Sequence, residues 1–134
     1  MTPMKILKLV FIAHGWHLGF FKKPLISESI QAWKYGPVIP ALYRYFKEYG
    51  SKPIPSIEME ILPEVPAEME PETRRLLDRV WEKYSPLSAI QLSSLTHQQG
   101  TPWHQATNGG TCTAKFLPIP NELIQDFYQK KVGA

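Results

Sequence analysis

A mainly α-helical fold with a minor β element is predicted by three features of this 134-residue chain. Apolar residues recur at three- and four-residue steps over long stretches, the period of a helix packed on one side. Proline, serine, threonine and asparagine stand where those stretches begin, as helix starts require. Between the first two stretches lies Ala32-Trp33-Lys34-Tyr35-Gly36-Pro37-Val38-Ile39-Pro40, which suits neither an ordinary helix nor an ordinary strand. Together these lead to a compact single domain over residues 1–134, built of about five to six helices.

The first helix is expected over residues 3–21, where Ile6, Leu7, Val10, Phe11, Leu18 and Phe21 repeat with helical period. Thr2 caps it, Pro3 occupies its first turn, and Lys5 and Lys8 fall in the gap assigned to solvent. Gly15 within it costs ~1 kcal/mol relative to alanine, which points to close approach by another element. The helix breaks over residues 19–24, and short strands or a hairpin follow around residues 25–35. Gly36 accepts backbone conformations that Tyr35 resists, and Pro37 fixes its own φ near about −65°. The turn is therefore placed at Gly36-Pro37, between an extended arrival over 29–35 and a helical departure over 39–49 that begins at Pro40. Trp33 and Tyr35 share one side of the arrival, with Lys34 on the other. On the departing helix Leu42, Tyr45 or Phe46, and Tyr49 face inward, and Gly50 ends it.

Residues 51–71 form a proline-rich acidic loop holding Pro53, Pro55, Pro63, Pro66 and Pro71 among Glu58, Glu60, Glu64, Glu68 and Glu70. An edge strand over 57–62 is the alternative there. Pro71 opens a third helix in which Leu76, Leu77, Val80, Trp81 and Tyr84 face inward. Ser88 and Gln91 make a capping box ahead of a helix with Ile90, Leu92 and Leu95. Gln98-Gln99-Gly100 stops it, and Thr101-Pro102-Trp103 starts another at once. Asn108-Gly109-Gly110 is a turn, an irregular stretch follows, and Asn121 caps a last helix packed through Leu123, Ile124, Phe127 and Tyr128.

A hydrophobic fraction of 43% and a charged fraction of 20% place the chain among soluble globular proteins and away from disordered ones. The formal charge of +3 permits an acidic partner. Its basic residues gather only in pairs, Lys22-Lys23, Arg74-Arg75 and Lys130-Lys131, without the stripe of a nucleic-acid footprint. Cys112 is the only cysteine, which excludes an intrachain disulfide and a thiolate metal cluster. No apolar run reaches membrane length, and no small-residue cleavage site follows the apolar N-terminal segment, so a cytoplasmic location is expected.

His14 and His17 lie three apart on one helix, where both rings could reach a metal that His97 and His104 would help to hold. No glutamate or orienting carboxylate accompanies them, which favours packing histidines. Cys112 follows Gly109-Gly110-Thr111, yet nothing marks its thiolate as stabilised. Ser93, Ser94 and Thr96 sit near His97 on a helix, where hydroxyls bond backbone or water. No enzyme activity, metal or cofactor is expected. Residues 87–106 look like a helix-turn-helix, but the second helix offers Trp103, His104 and Gln105 without arginine or lysine for phosphates. A DNA-binding transcriptional regulator using that segment stands as the alternative function.

Three pieces recur in a fixed order: Ala13-His14-Gly15-Trp16-His17-Leu18; Ala32 to Pro40 with Leu42-Tyr43; and Leu92-Ser93-Ser94-Leu95-Thr96-His97 with Thr101-Pro102-Trp103. Together they resemble the Panacea domain, the SocA-like or GepA-like phage-associated family, over nearly the whole chain. The resemblance implies a small, mostly helical domain of bacteria, phages and mobile elements, encoded beside a toxic protein. It also implies an antitoxin that binds its cognate toxin directly and, in the SocA branch, an adaptor that delivers the toxin to an ATP-dependent protease. The chain is about the length of the bare domain, so the added DNA-binding segments of some relatives are not expected. Candidate partner-binding or motif residues are Trp33, Tyr35, Gly36, Pro37, Val38, Tyr43, Thr96, His97, Pro102 and Trp103. The aromatics suit an interface or a core equally.

Overall fold

A computed structural model describes residues 2–34, 36–47, 70–110 and 117–132. Helix α1 (Pro3–Phe21) runs through the middle of the fold, with Ile6, Leu7, Leu9, Phe11, Ile12 and Leu18 all buried. The Thr2 hydroxyl accepts from the Lys5 amide, Pro3 fills the first turn, and Lys22 closes the helix in the left-handed conformation at φ 58°. This extensive burial takes in Lys8, at 3% exposure, which the periodicity assigns to solvent. Lys5 is not free in solvent either, since its ammonium donates to the Ser85 carbonyl at 2.6 Å. Apolar period marks the richest face of a helix but does not reveal how many faces its neighbours cover.

Beyond residues 23–30 the chain forms a hairpin of β1 (Gln31–Trp33) and β2 (Gly36–Val38), paired antiparallel with Trp33 opposite Gly36 and Gln31 opposite Val38. The reversal therefore falls before Gly36, and the expected Gly36-Pro37 turn is itself a strand. Strand β3 (Leu117–Pro118) pairs with the other side of β1, in a stretch expected to be irregular, and gives the order β2-β1-β3. Pro37 and Pro118 sit on the two edge strands, where a missing N–H costs no ladder bond, and proline-free β1 is central. The alternative strand over 57–62, most of the acidic loop, Gly50 and Cys112 lie outside the described residues.

Helix α2 (Pro40–Phe46) starts on proline as expected and buries Phe46, leaving Tyr45 exposed. In α3 (Pro71–Tyr84) the buried stripe is Leu76, Val80 and Tyr84, narrower than expected, and Trp81 is 53% exposed. Helix α4 (Ala89–Thr96) has the full capping box of Ser88 and Gln91 but buries only Leu92, Ser93 and Thr96. Ile90, on the opposite side of this short helix, is 77% exposed, and Leu95 is exposed as well. Helix α5 (Pro102–Ala106) is capped by Thr101, whose hydroxyl accepts from the His104 amide at 3.2 Å. In α6 (Asn121–Val132) Ile124 and Tyr128 are buried, with Leu123 and Phe127 packed beside them. Asn121 is this helix's first residue, and its side-chain oxygen is held by His14 at 2.9 Å. The expected cap is thus replaced by a tie to α1.

Gly15 explains how α1 and α6 come so close. A Cβ at Gly15 would overlap the ring of Tyr128, and one at Gly19 would stand 2.9 Å from the Tyr128 backbone carbon. Trp16 packs edge-on against the same ring at 5.1 Å and donates its indole N–H to the Tyr84 hydroxyl at 3.0 Å, joining α3 to the pair. Among the described residues, no helix is long and apolar enough to cross a membrane.

Gly15→Ala is expected to destabilise the protein by about 1–3 kcal/mol through overpacking. That sign is opposite to the ~1 kcal/mol gain of alanine at an unencumbered helical site. Urea denaturation of the two proteins measures it.

Candidate functional site

The two distant pieces of the motif meet at the hairpin. Trp103, buried at the start of α5, donates its indole N–H to the Trp33 carbonyl at 2.6 Å, anchoring the end of β1. The His97 ring packs edge-on against Trp103 at 5.4 Å, and its buried Nδ1 has no partner among the described residues. Pro102 is enclosed, and Thr96 is buried with its hydroxyl within 3.0 Å of the Ser93 carbonyl and 3.1 Å of the Leu92 carbonyl. Trp103, Pro102 and Thr96 therefore pack the corner instead of presenting a surface. In the segment of the alternative DNA-binding reading, α5 has five residues and buries its proline and tryptophan.

Beneath the hairpin, Gly36 has φ +120°, a backbone region open essentially to glycine. A Cβ there would stand 2.9 Å from the Lys8 Nζ and 3.4 Å from the Thr96 Oγ1, so α1, α4 and β2 converge on this glycine. The Lys8 ammonium donates to the Pro37 carbonyl at 2.9 Å, its one hydrogen-bond acceptor among the described residues. Burial pushes the Lys8 pKa down from the ordinary 10.5 to about 8. This cation is tucked against the fold without a carboxylate partner among the described residues.

Trp33 and Tyr43 form the outward part of the site. Their rings meet edge to face at 4.7 Å, and the Trp33 indole N–H is held by the Gln31 side chain at 3.0 Å. With Val38, Leu7, Met4 and Phe46 they line an apolar groove of about 470 Å³ between α1, α2 and the hairpin. Trp33 is half-buried and Tyr43 is 37% exposed, so both can touch a partner while staying packed. The charged residues of the lining are Lys8, Lys34 and Lys47, with no acid among the described lining residues.

Of the candidates, Trp33, Val38 and Tyr43 line the groove, Gly36, Pro37, Thr96 and Trp103 hold the hairpin that shapes it, His97 packs on Trp103, and Pro102 is buried at the start of α5. Tyr35 lies outside the described residues. The sequence reading missed Met4, Leu7, Lys8 and Phe46 as groove residues. Lys8 shares a helical face with Phe11 and Ile12, three and four positions on, and that spacing was the available signal.

The other histidines serve as ties. His14 Nε2 donates to Asn121 and its Nδ1 accepts from the Leu25 and Ile26 amides at 3.3 and 3.4 Å, a neutral ring. Burial, opposed by the Asn121 bond and helped by nearby His17, holds its pKa below the usual histidine range. His17 donates from Nδ1 to the Lys23 carbonyl at 2.6 Å and meets the Thr73 hydroxyl at 3.2 Å. Among the described residues, no three His, Cys, Asp or Glu side chains gather as a metal set.

The family model described as antitoxin SocA-like, Panacea domain, matches residues 6–104, which contain the hairpin, α4 and the start of α5. The chain is also 32% identical to antitoxin SocA of Caulobacter vibrioides (strain NA1000 / CB15N), over 96% of this chain and 72% of that protein. No solved structure gives a significant match.

Lys8 makes stability depend on pH. Below pH 8 both native and unfolded chains carry its proton, and the burial cost, on the order of 3 kcal/mol, applies in full. Between about pH 8 and 10.5 the native chain releases that proton first, so the unfolded chain binds more protons and stability rises. Lys8→Met is expected to be at least as stable at pH 7 and to lack this rise. Urea titrations of both proteins across the window test the difference, which cancels the tyrosine titrations common to the two.

Proposed function

The chain belongs to the antitoxin SocA-like family, Panacea domain, and from that premise we propose that it neutralises a cognate toxin by binding it directly through the Trp33–Tyr43 groove. The observation that carries this proposal is the division of labour within the motif. Trp103, Thr96 and Gly36 are used up in positioning the hairpin, and what stands beside it is a half-open aromatic pair at an apolar groove. Tyrosine and tryptophan held rigid at the edge of a groove are the side chains that carry most binding energy at protein interfaces. Direct binding of this kind requires no bond to be made or broken by the antitoxin. Delivery of the bound toxin to an ATP-dependent protease is the finer version of the same proposal, with residues 1–134 acting as a single domain in the cytoplasm.

Co-expression with the product of each adjacent gene tests it, scoring growth and complex formation together. Rescue with a stable complex is expected for direct neutralisation, and rescue with loss of the partner for proteolytic delivery. Tyr43→Ala is expected to keep its fold while weakening the complex at least tenfold, or ~1.4 kcal/mol. Trp33→Ala, checked by circular dichroism, is expected to fold and to lose the complex. Loss of folding would instead assign Trp33 to the core, and failure of every neighbouring product to bind or be rescued would end the antitoxin assignment at this groove.

A further inference from the structure

We propose that a second cavity, walled by α1, α3, α6 and the α4–α5 connection, binds a small monocarboxylic acid with an apolar body. The proposal is independent of toxin binding at the Trp33–Tyr43 groove, with which this cavity shares no lining residue.

The cavity encloses about 230 Å³. That is below the roughly 300–1,000 Å³ of sites for drug-sized ligands and several times the ~30 Å³ share of one water molecule, so a small organic molecule fits it. Phe11 and Ile12 of α1, both almost fully buried, and Phe127 of α6 supply an apolar wall for the body of such a ligand. Gln98, Gln99 and Lys131 form an exposed polar rim.

Two buried phenols set the chemistry. Tyr128 is 6% exposed, and among the described residues its hydroxyl has no hydrogen-bond partner. Among those residues the one side-chain polar atom sealed from solvent without a partner is His97 Nδ1, so the Tyr128 hydroxyl opens on the cavity that its residue lines. Tyr84, on the same cavity, accepts the Trp16 indole N–H at 3.0 Å on its oxygen and keeps its own proton for a further acceptor. Burial, helped by nearby Tyr84, pushes the Tyr128 pKa above the usual tyrosine range, which keeps that hydroxyl a donor at neutral pH. The threonine hydroxyls of the lining are spent by contrast, Thr96 on the Leu92 and Ser93 carbonyls and Thr101 on the Gln98 carbonyl at 2.7 Å.

Neighbouring phenol protons without acceptors call for a group with two acceptor oxygens, and a carboxylate takes them in charge-assisted bonds. The lining fixes the sign of the charge in the same sense. Lys131 is its one ionised side chain among the described residues, and the ammonium stands 4.9 Å from the centroid of the Phe127 ring, itself part of the wall. Asp126 on the same helix pairs with Lys130 at 3.1 Å and leaves Lys131 to the cavity mouth. An anion is therefore attracted there and a cation repelled.

The test uses the full chain, labelled with nitrogen-15, with benzoate as the probe and benzamide as its neutral counterpart of the same shape. Trp16 is the reporter, because its indole proton rests on the Tyr84 oxygen. Benzoate is expected to shift the Trp16 indole signal with a dissociation constant at least tenfold below that of benzamide. Tyr128→Phe, which removes a hydroxyl that holds nothing in the described fold, is expected to raise the benzoate constant at least tenfold, and Lys131→Gln to weaken benzoate while leaving benzamide unchanged. No shift of Trp16 by benzoate at tens of millimolar, equal binding of the two probes, or benzoate binding unchanged in Tyr128→Phe overturns the proposal. If Tyr128→Phe does not fold, the two probes on the natural protein decide the matter. The peptide acetyl-Phe-Glu-Phe-amide is titrated in parallel, and binding by it without binding by benzoate overturns the proposal in favour of a protein carboxylate.

Discussion

Close approach of α6 to α1 is the constraint on which the remaining architecture depends. Only glycine at positions 15 and 19 allows the Tyr128 ring and backbone to lie against α1 at this distance. With Tyr128 in place, Trp16 can pack edge-on against its ring and reach the Tyr84 hydroxyl, so a single aromatic cluster ties α1, α3 and α6. His14 adds a second tie between the same helices through Asn121. A helix surrounded in this way is buried on most of its sides, and the lysine at position 8 lies inside.

That enclosed lysine links scaffold to site. Lys8 on α1 bonds Pro37 on β2, and Gly36 packs on Lys8 and on Thr96 of α4. From the other side Trp103 holds the carbonyl of Trp33. The hairpin is therefore clamped at both strands by side chains from helices distant in sequence, while the Trp33–Tyr43 pair is left facing outward. Pre-organisation of this sort would lower the entropic cost of the proposed toxin binding, because the aromatic pair need not be ordered by the partner. The two clamps also supply support that so short a hairpin lacks by itself, since an isolated two-stranded hairpin is marginal.

Polar groups in the core follow one pattern: each described histidine of α1 connects segments instead of converging with the other. His14 joins α1 to residues 25–26 and to α6, and His17 joins it to Lys23 and to Thr73 of α3. Both rings thus spend their nitrogen atoms on structure. The apolar groove, not the histidine pair, is the surface that the proposed toxin binding uses.

Local chemistry in the sequence determined the helix starts, because Thr2, Pro3, Pro40, Pro71, Ser88, Gln91, Thr101 and Pro102 act on their immediate neighbours and need no tertiary partner. It also showed that something must approach Gly15, and that residues 32–40 change direction. What approaches Gly15, which side of α4 is buried, and that β1 pairs with β3 near residue 117 depend on contacts between segments far apart in the chain. For that reason Ile90 and Trp81 lie outside although their spacing suits a core, and Lys8 lies inside although its charge suits solvent. The site divides in the same way. Its residue types were legible as a motif, but only the tertiary structure decided which of them hold the hairpin and which line the groove. Burial is a property of neighbours brought together by packing, and no residue's own chemistry contains it.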